Sequence, residues 1–150
     1  MSGESTHPST FTPNRSMPTA QVIPELGYEN VAEAAQWLCD AFGFTVRLRI
    51  GDNHRVQLAV GTGAVVVRRG SRPVDGDDTH SVMVRVADVD AHHARAVAAG
   101  APTNGAPQTH VYGERQYTAR DIGGHSWTFS QSIDDVDPRT WGGEPGDVEP

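Results

Sequence analysis

The chain contains no lysine; all 12 basic residues among its 150 are arginine. A Schiff-base lysine, a lysine general base and a phosphate-binding P-loop are therefore excluded, whatever the fold. Cysteine is nearly as scarce. Cys39 stands alone, which excludes an intramolecular disulfide framework and a multi-cysteine zinc site. No apolar run approaches the roughly 18 residues needed to cross a bilayer. The opening stretch MSGESTHPSTFTPNRS has no apolar segment of the secretory kind. The expectation is a soluble, cytoplasmic protein with no membrane partner, built as one domain or two tightly fused halves.

Positive charge is also in deficit. The formal net charge is −7, and six acids against Arg139 alone in residues 133–150 account for −5 of it. The central region is therefore close to neutral. A nucleic-acid binder needs a basic face, so no nucleic-acid partner is expected.

Residues 1–20 are rich in Ser, Thr and Pro and read as a disordered tail. Residues 133–150 read as a loose acidic tail, with Trp141 placed to pin it to the body. Between them the pattern is regular. A strand over 21–28, begun near Pro24, leads to Asn30 as an N-cap. Val31, Ala34, Ala35, Leu38 and Phe42 then recur at helical spacing up to Gly43. FTVRLRI, HRVQLAV and AVVVRR follow as three strands separated by glycine turns. After a polar loop at 70–79, HSVMVRV reads as a strand. Asp88 caps a helix carrying Val89, His93, Ala96 and Val97 on one face, and strands follow at 108–112, 114–120 and 125–131. Leu26, Tyr28, Val31 and Leu38 match Val84, Val86, Val89 and Ala96 at a constant offset. The chain is thus a duplicated βαβββ module, with modules at about 21–70 and 79–132.

Three stretches carry a family resemblance: VIPELGYENVAEAAQWLCDAFGF (22–44), VMVRVADVDAHHARAVAAGA (82–101) and YGERQYTARDIGGHSWTF (112–129). They resemble the vicinal-oxygen-chelate superfamily, the glyoxalase, bleomycin-resistance and extradiol-dioxygenase group, with a PhnB-like flavour. The resemblance spans about 21–132. It implies an α+β fold in which the two modules form a curved mixed sheet around a central cavity. In the superfamily's enzymes a divalent metal sits there, held by His, Gln or Glu, and acts as a Lewis acid. The corresponding positions here are Ile23, Val66, Ser81 and Thr128. None is a good ligand for a divalent transition metal, so no metal and no other cofactor is expected. His80 lies one residue before Ser81 and becomes a ligand only if the strand register slips by one.

Strand parity sorts the remaining candidates. Val82, Val84, Val86, Trp127 and Phe129 should pack on the helices. Ser81, Met83, Arg85, Ser126, Thr128 and Ser130 should face the cavity. Arg85 and Arg115 suit an anionic ligand group, or an internal ion pair between Arg85 and Glu25. Tyr112 and Tyr117 could stack on a planar ligand or fill the core. The expected ligand-binding set is Glu25, Ser81, Met83, Arg85, Tyr112, Arg115, Tyr117 and Thr128, with no catalytic residue assigned. The resemblance points first to a metal-free protein that binds a small organic ligand, such as an antibiotic or another aromatic molecule. The alternative is a metal-dependent glyoxalase-like lyase or dioxygenase. An isomerase using Glu25 or His80 as base is a third reading. A homodimer is expected.

Overall fold

The computed structural model describes residues 11–75 and 77–147. The element order is β1 (Glu25–Tyr28), α1 (Val31–Phe42), β2 (Thr45–Ile50), β3 (Arg55–Val60), β4 (Gly63–Arg69), β5 (Val82–Arg85), α2 (Val89–Ala98), β6 (Gln108–Thr109), β7 (Glu114–Arg120) and β8 (Ser126–Ser132), with a short 3₁₀ turn at Pro138–Thr140. This is βαβββ repeated.

Both helices begin where their caps dictate. The Asn30 side chain accepts from the Glu33 N–H, and the Asp88 side chain accepts from the Ala91 N–H. Helix α1 stops at Gly43, which takes the left-handed conformation (φ 80°) and donates its N–H to the Cys39 carbonyl. The end of α1 receives a second cap from the other module. Arg95 of α2 donates to the carbonyls of Asp40 (3.0 Å) and Cys39 (3.2 Å), placing a cation at the negative end of the helix.

The strands form two four-stranded mixed sheets, ordered β1-β4-β3-β2 and β5-β8-β7-β6, and not a closed barrel. In each, the first strand runs parallel to the last and the others are antiparallel. Strand β2 departs from strict alternation at a bulge between Val46 and Leu48.

One apolar core serves both modules. Helices α1 and α2 pack on each other. Phe42, the last residue of α1, reaches across to Trp127 and Phe129 of β8, with ring centres 5.7 and 4.8 Å away. Leu26, Tyr28, Val56, Leu58, Val65 and Val67 of the first sheet join Tyr117, Ala119, Trp127 and Phe129 of the second in the same cluster. Leu38, Leu58, Trp127 and Phe129 are fully buried, each contributing on the order of 2 kcal/mol through removal of apolar surface from water. Val97, expected on the core face of α2, is half exposed. His92 takes the inner position instead, 4.0 Å from the Phe129 ring.

Every sheet therefore has a face turned to the core and a face turned away from it. On the first sheet the segment assigned to the N-terminal tail lies against this outer face. Arg47 donates to the Arg15 carbonyl (2.9 Å), Gln57 donates to the Ser16 carbonyl (2.9 Å), and Pro18 is buried. Gln57 and Val66 are buried beneath it.

Candidate ligand-binding face

The outer face of the second sheet is built by alternation. Trp127 and Phe129 point to the helices, so Ser126, Thr128 and Ser130 point away; Tyr117 and Ala119 point inward, so Glu114, Gln116 and Thr118 point away. On β5, Val82 and Val84 pack against the core while Met83 and Arg85 face out. Cross-strand register sets these residues in rows: Met83 beside Thr128 beside Thr118, and Arg85 beside Ser130 beside Gln116. The polar members are bonded to one another. Gln116 donates to Ser130 Oγ (3.0 Å), and Ser130 donates to Glu114 Oε1. The Thr118 and Thr128 hydroxyls are 3.0 Å apart, and Arg85 donates to Ser132 Oγ at 3.1 Å. The hydroxyls beside Glu114 hold its carboxyl below the usual glutamate range.

Along the edge strand β5, where it meets the β3–β4 hairpin, the inward-facing side chains open on a cleft of about 430 Å³ that adjoins the outer face. Val22, Pro24, Val60, Val65, Val82, Val84 and Trp127 supply apolar walls, and Met83 and Arg85 supply the rim. Met83 is 62 % exposed and stands free at the rim to meet a ligand.

The expected binding residues divide sharply. Ser81 (exposed, just before β5), Met83, Arg85 and Thr128 lie together on or beside this face. Glu25 does not. It stands on β1, paired with Arg68 (3.3 Å) and Arg55 (3.9 Å), so the anticipated Glu25–Arg85 ion pair is not formed. Strand β4 lies beside β1 and brings Arg68 to the carboxylate first. Arg115 is also removed from the site. It shares the inward parity of Tyr117 and clamps the Asp90 carboxylate of α2, with Nη2 at 2.9 Å and Nε at 3.1 Å. That contact pulls the Asp90 carboxyl below its ordinary range. Tyr117 is a core residue, fully buried, with its hydroxyl against His92 Nδ1. Burial pushes its phenol well above the ordinary tyrosine range, and it leaves the ring no exposed face on which a ligand could stack. Tyr112 lies at the far end of β7, its ring parallel to His110 (5.1 Å between centres) and 5.4 Å from Trp141.

Sequence reasoning missed Glu114 and Gln116, although the alternation of 114–120 contained them. It also missed Asp121. This buried carboxylate accepts from the Gly123 and His125 N–H groups on one oxygen, and from Tyr28 Oη and Trp127 Nε1 on the other. No local pattern announces such a hub, because its partners lie up to 93 positions away.

The positions that the resemblance equates with metal ligands offer none. Ile23 is half-buried, Val66 is buried between Glu25 and Gln57, Ser81 is exposed, and the Thr128 hydroxyl is bonded to Thr118. Two alkyl groups and two hydroxyls do not make a transition-metal donor set. Among the described residues no three His, Cys, Asp or Glu side chains gather as a metal site.

Comparison with known proteins agrees with the fold. Paired βαβββ modules with helices on one face of each sheet define the class. A model of the Glyoxalase/Bleomycin resistance protein/Dioxygenase superfamily matches residues 21–129, and the chain belongs to that superfamily. TioX from Micromonospora sp. ML1 is 36 % identical, over 79 % of this chain and 100 % of that one, with a TM-score of 0.64. A glyoxalase/bleomycin resistance protein/dioxygenase from Alicyclobacillus acidocaldarius is 15 % identical over 79 % and 95 % of the two chains (TM-score 0.63). The lactoylglutathione lyase from Agrobacterium tumefaciens is 18 % identical over 83 % and 98 % (TM-score 0.58). The last two show the fold alone. No curated protein is a match.

Proposed function

We propose that this chain is a binding protein for a small organic molecule, held on the outer face of the second sheet without a metal in that face. The observation that carries the reading is the donor chemistry at residues 23, 66, 81 and 128. A Lewis-acid lyase or ring-cleaving dioxygenase of this superfamily needs metal ligands there, and the chain places Ile, Val, Ser and Thr. What the face offers is suited to holding a ligand. The apolar walls of the adjoining edge cleft can bury a ring system, and the polar groups of the outer face orient it. Arg85 lies in no ion pair within 4.0 Å among the described residues, and its guanidinium beside exposed Met83 favours a planar aromatic molecule bearing an anionic group. An antibiotic of that chemistry fits the reading.

The active unit in this proposal is a homodimer. Both outer faces turn away from the common core; residues 15–18 lie across the first, and the second, with its edge cleft, is one open half of an enclosure. A second copy brings a sheet of its own against it and shuts out water. The test is calorimetric titration in EDTA with 2-naphthoate, its neutral alcohol and bleomycin as probes. Saturable binding of the anion, weaker for the alcohol and lost in Arg85→Ala, supports the proposal. Binding or turnover that appears only when a divalent metal is added would overturn it in favour of the enzyme.

A further inference from the structure

We propose a second, separate site: His80 and His125 form a two-histidine pocket for a divalent transition metal such as Zn²⁺ at the junction of the modules. His125 is buried in the turn before β8, and its ring Nε2 lies 2.8 Å from the Gly27 carbonyl of the other module. A carbonyl only accepts, so Nε2 carries the proton and Nδ1 presents a lone pair. That lone pair faces His80 Nε2, 3.4 Å away. The separation is that of a weak direct nitrogen–nitrogen hydrogen bond when no metal is bound. It equals the edge of a tetrahedral zinc site, where bonds of about 2.0–2.1 Å set adjacent nitrogens about 3.4 Å apart. The ring planes are inclined at 60° with centres 5.7 Å apart, so the two nitrogens converge and the rings do not stack. The Gly27 carbonyl is the kind of outer partner that fixes the tautomer and aim of a metal-binding imidazole.

Charge around the pair is mixed, with Arg120 also within reach of Asp77. Both histidines open on a cleft of about 470 Å³ shared with Glu25, Asp77, Arg68 and Arg72. Arg68 is engaged by Glu25, and Arg72 donates to the Ile122 carbonyl (3.4 Å). Asp77 is held by Thr79 and leaves negative charge at the cleft. With two protein ligands the remaining positions would be left to water, and binding would be weaker than at a four-ligand structural site. The site is distinct from the outer face: His125 stacks edge-on against core Tyr28, 4.8 Å away, and His80 has the parity opposite to Ser81 and Met83.

The test uses the full, untagged chain, stripped of metal, with Zn²⁺ titrated by calorimetry. One ion per chain is expected. His80→Ala, at an exposed position that leaves folding intact, lowers the affinity by about tenfold or more. His125→Gln should do the same, with circular dichroism reporting whether it folds. Ser81→Ala and Thr128→Ala should bind as the parent does. No saturable Zn²⁺ binding by the parent, or undiminished binding by His80→Ala, would overturn the proposal. Loss in Ser81→Ala or Thr128→Ala with His80→Ala unaffected would also overturn it, and would place metal on the outer face against the binding-protein reading. Failure of ligand binding in EDTA, with the histidine site intact, would count against that reading alone.

Discussion

Replacing Asp121 by Asn should be among the most damaging single changes in the molecule, although it alters one atom. The Asp121 carboxylate accepts four hydrogen bonds in a buried position, two from backbone N–H groups and two from Tyr28 and Trp127. An amide can keep its oxygen toward one pair only. If the oxygen stays with Gly123 and His125, the new NH₂ faces Tyr28 and Trp127. The tyrosine hydroxyl can turn and accept, but the indole N–H cannot, so one buried donor is left facing another. An unsatisfied buried donor costs about 1–3 kcal/mol. The remaining bonds lose their charge assistance, at roughly 1 kcal/mol each for two or three bonds. The expected loss is about 3–6 kcal/mol, a large share of the 5–15 kcal/mol typical of a domain. Urea unfolding followed by tryptophan fluorescence measures it. Tyr28→Phe removes one donor without reversing any, and should cost only about 1–2 kcal/mol. Burial, reinforced by the same carboxylate, holds the Tyr28 phenol far above its normal range, so Tyr28 should show no phenolate absorbance while the protein stays folded. A loss under about 1 kcal/mol for Asp121→Asn would show that the four bonds do not act together, and would refute the reasoning.

Acid should weaken the fold through His92. Burial lowers its pKa; its Nε2–H meets the Phe42 carbonyl (3.1 Å) and its Nδ1 meets the Tyr117 hydroxyl. The folded imidazole is the weaker base, so the unfolded chain takes up the proton first as pH falls, and stability declines from about pH 7 toward pH 5. His92→Gln should flatten that slope in urea unfolding at several pH values; an unchanged slope would acquit His92. Arg115→Ala should leave the affinity for 2-naphthoate unchanged and the urea midpoint nearly so, because its bond to Asp90 is largely solvated. A loss of ligand affinity would return Arg115 to the site. Deleting residues 1–18 removes the acceptors of Arg47 and Gln57 and should lower stability by about 2 kcal/mol, seen as a shift in the urea midpoint.

The fold was largely legible because duplication wrote it twice. The caps Asn30 and Asp88, the stop at Gly43 and the matched apolar positions of the two modules are local signals, each with its own physical cause. The segment at 14–18 was not legible. Its Ser, Thr and Pro content carries little apolar surface, and what holds it are backbone carbonyls meeting Arg47 and Gln57 from strands about 30 and 40 positions away. Composition reports how much surface a segment can bury. It says nothing of side chains elsewhere that reach for its backbone.

The binding face shows where the parity rule succeeds and where it fails. On β5 and β8 the apolar members are Val, Trp and Phe, whose inward direction is unambiguous, so Met83, Arg85 and Thr128 follow on the opposite face. On β7 the marker is Tyr117, an amphipathic side chain that suits a core or a ligand equally well. Once the hydroxyl of Tyr117 is satisfied by His92, a helix residue, Tyr117 is fixed inward. Arg115, two residues earlier, must then share its face. A buried guanidinium there would be costly, but Arg115 stands near the strand's end, where its long stem carries the charge out to Asp90. Glu114 and Gln116 inherit the outer face from the same step. One inward tyrosine thus exchanges an arginine for a glutamate and a glutamine in the binding surface. Near β7 the surface becomes acidic and hydrogen-bonding, and Arg85 on β5 is left as the cation beside the apolar cleft.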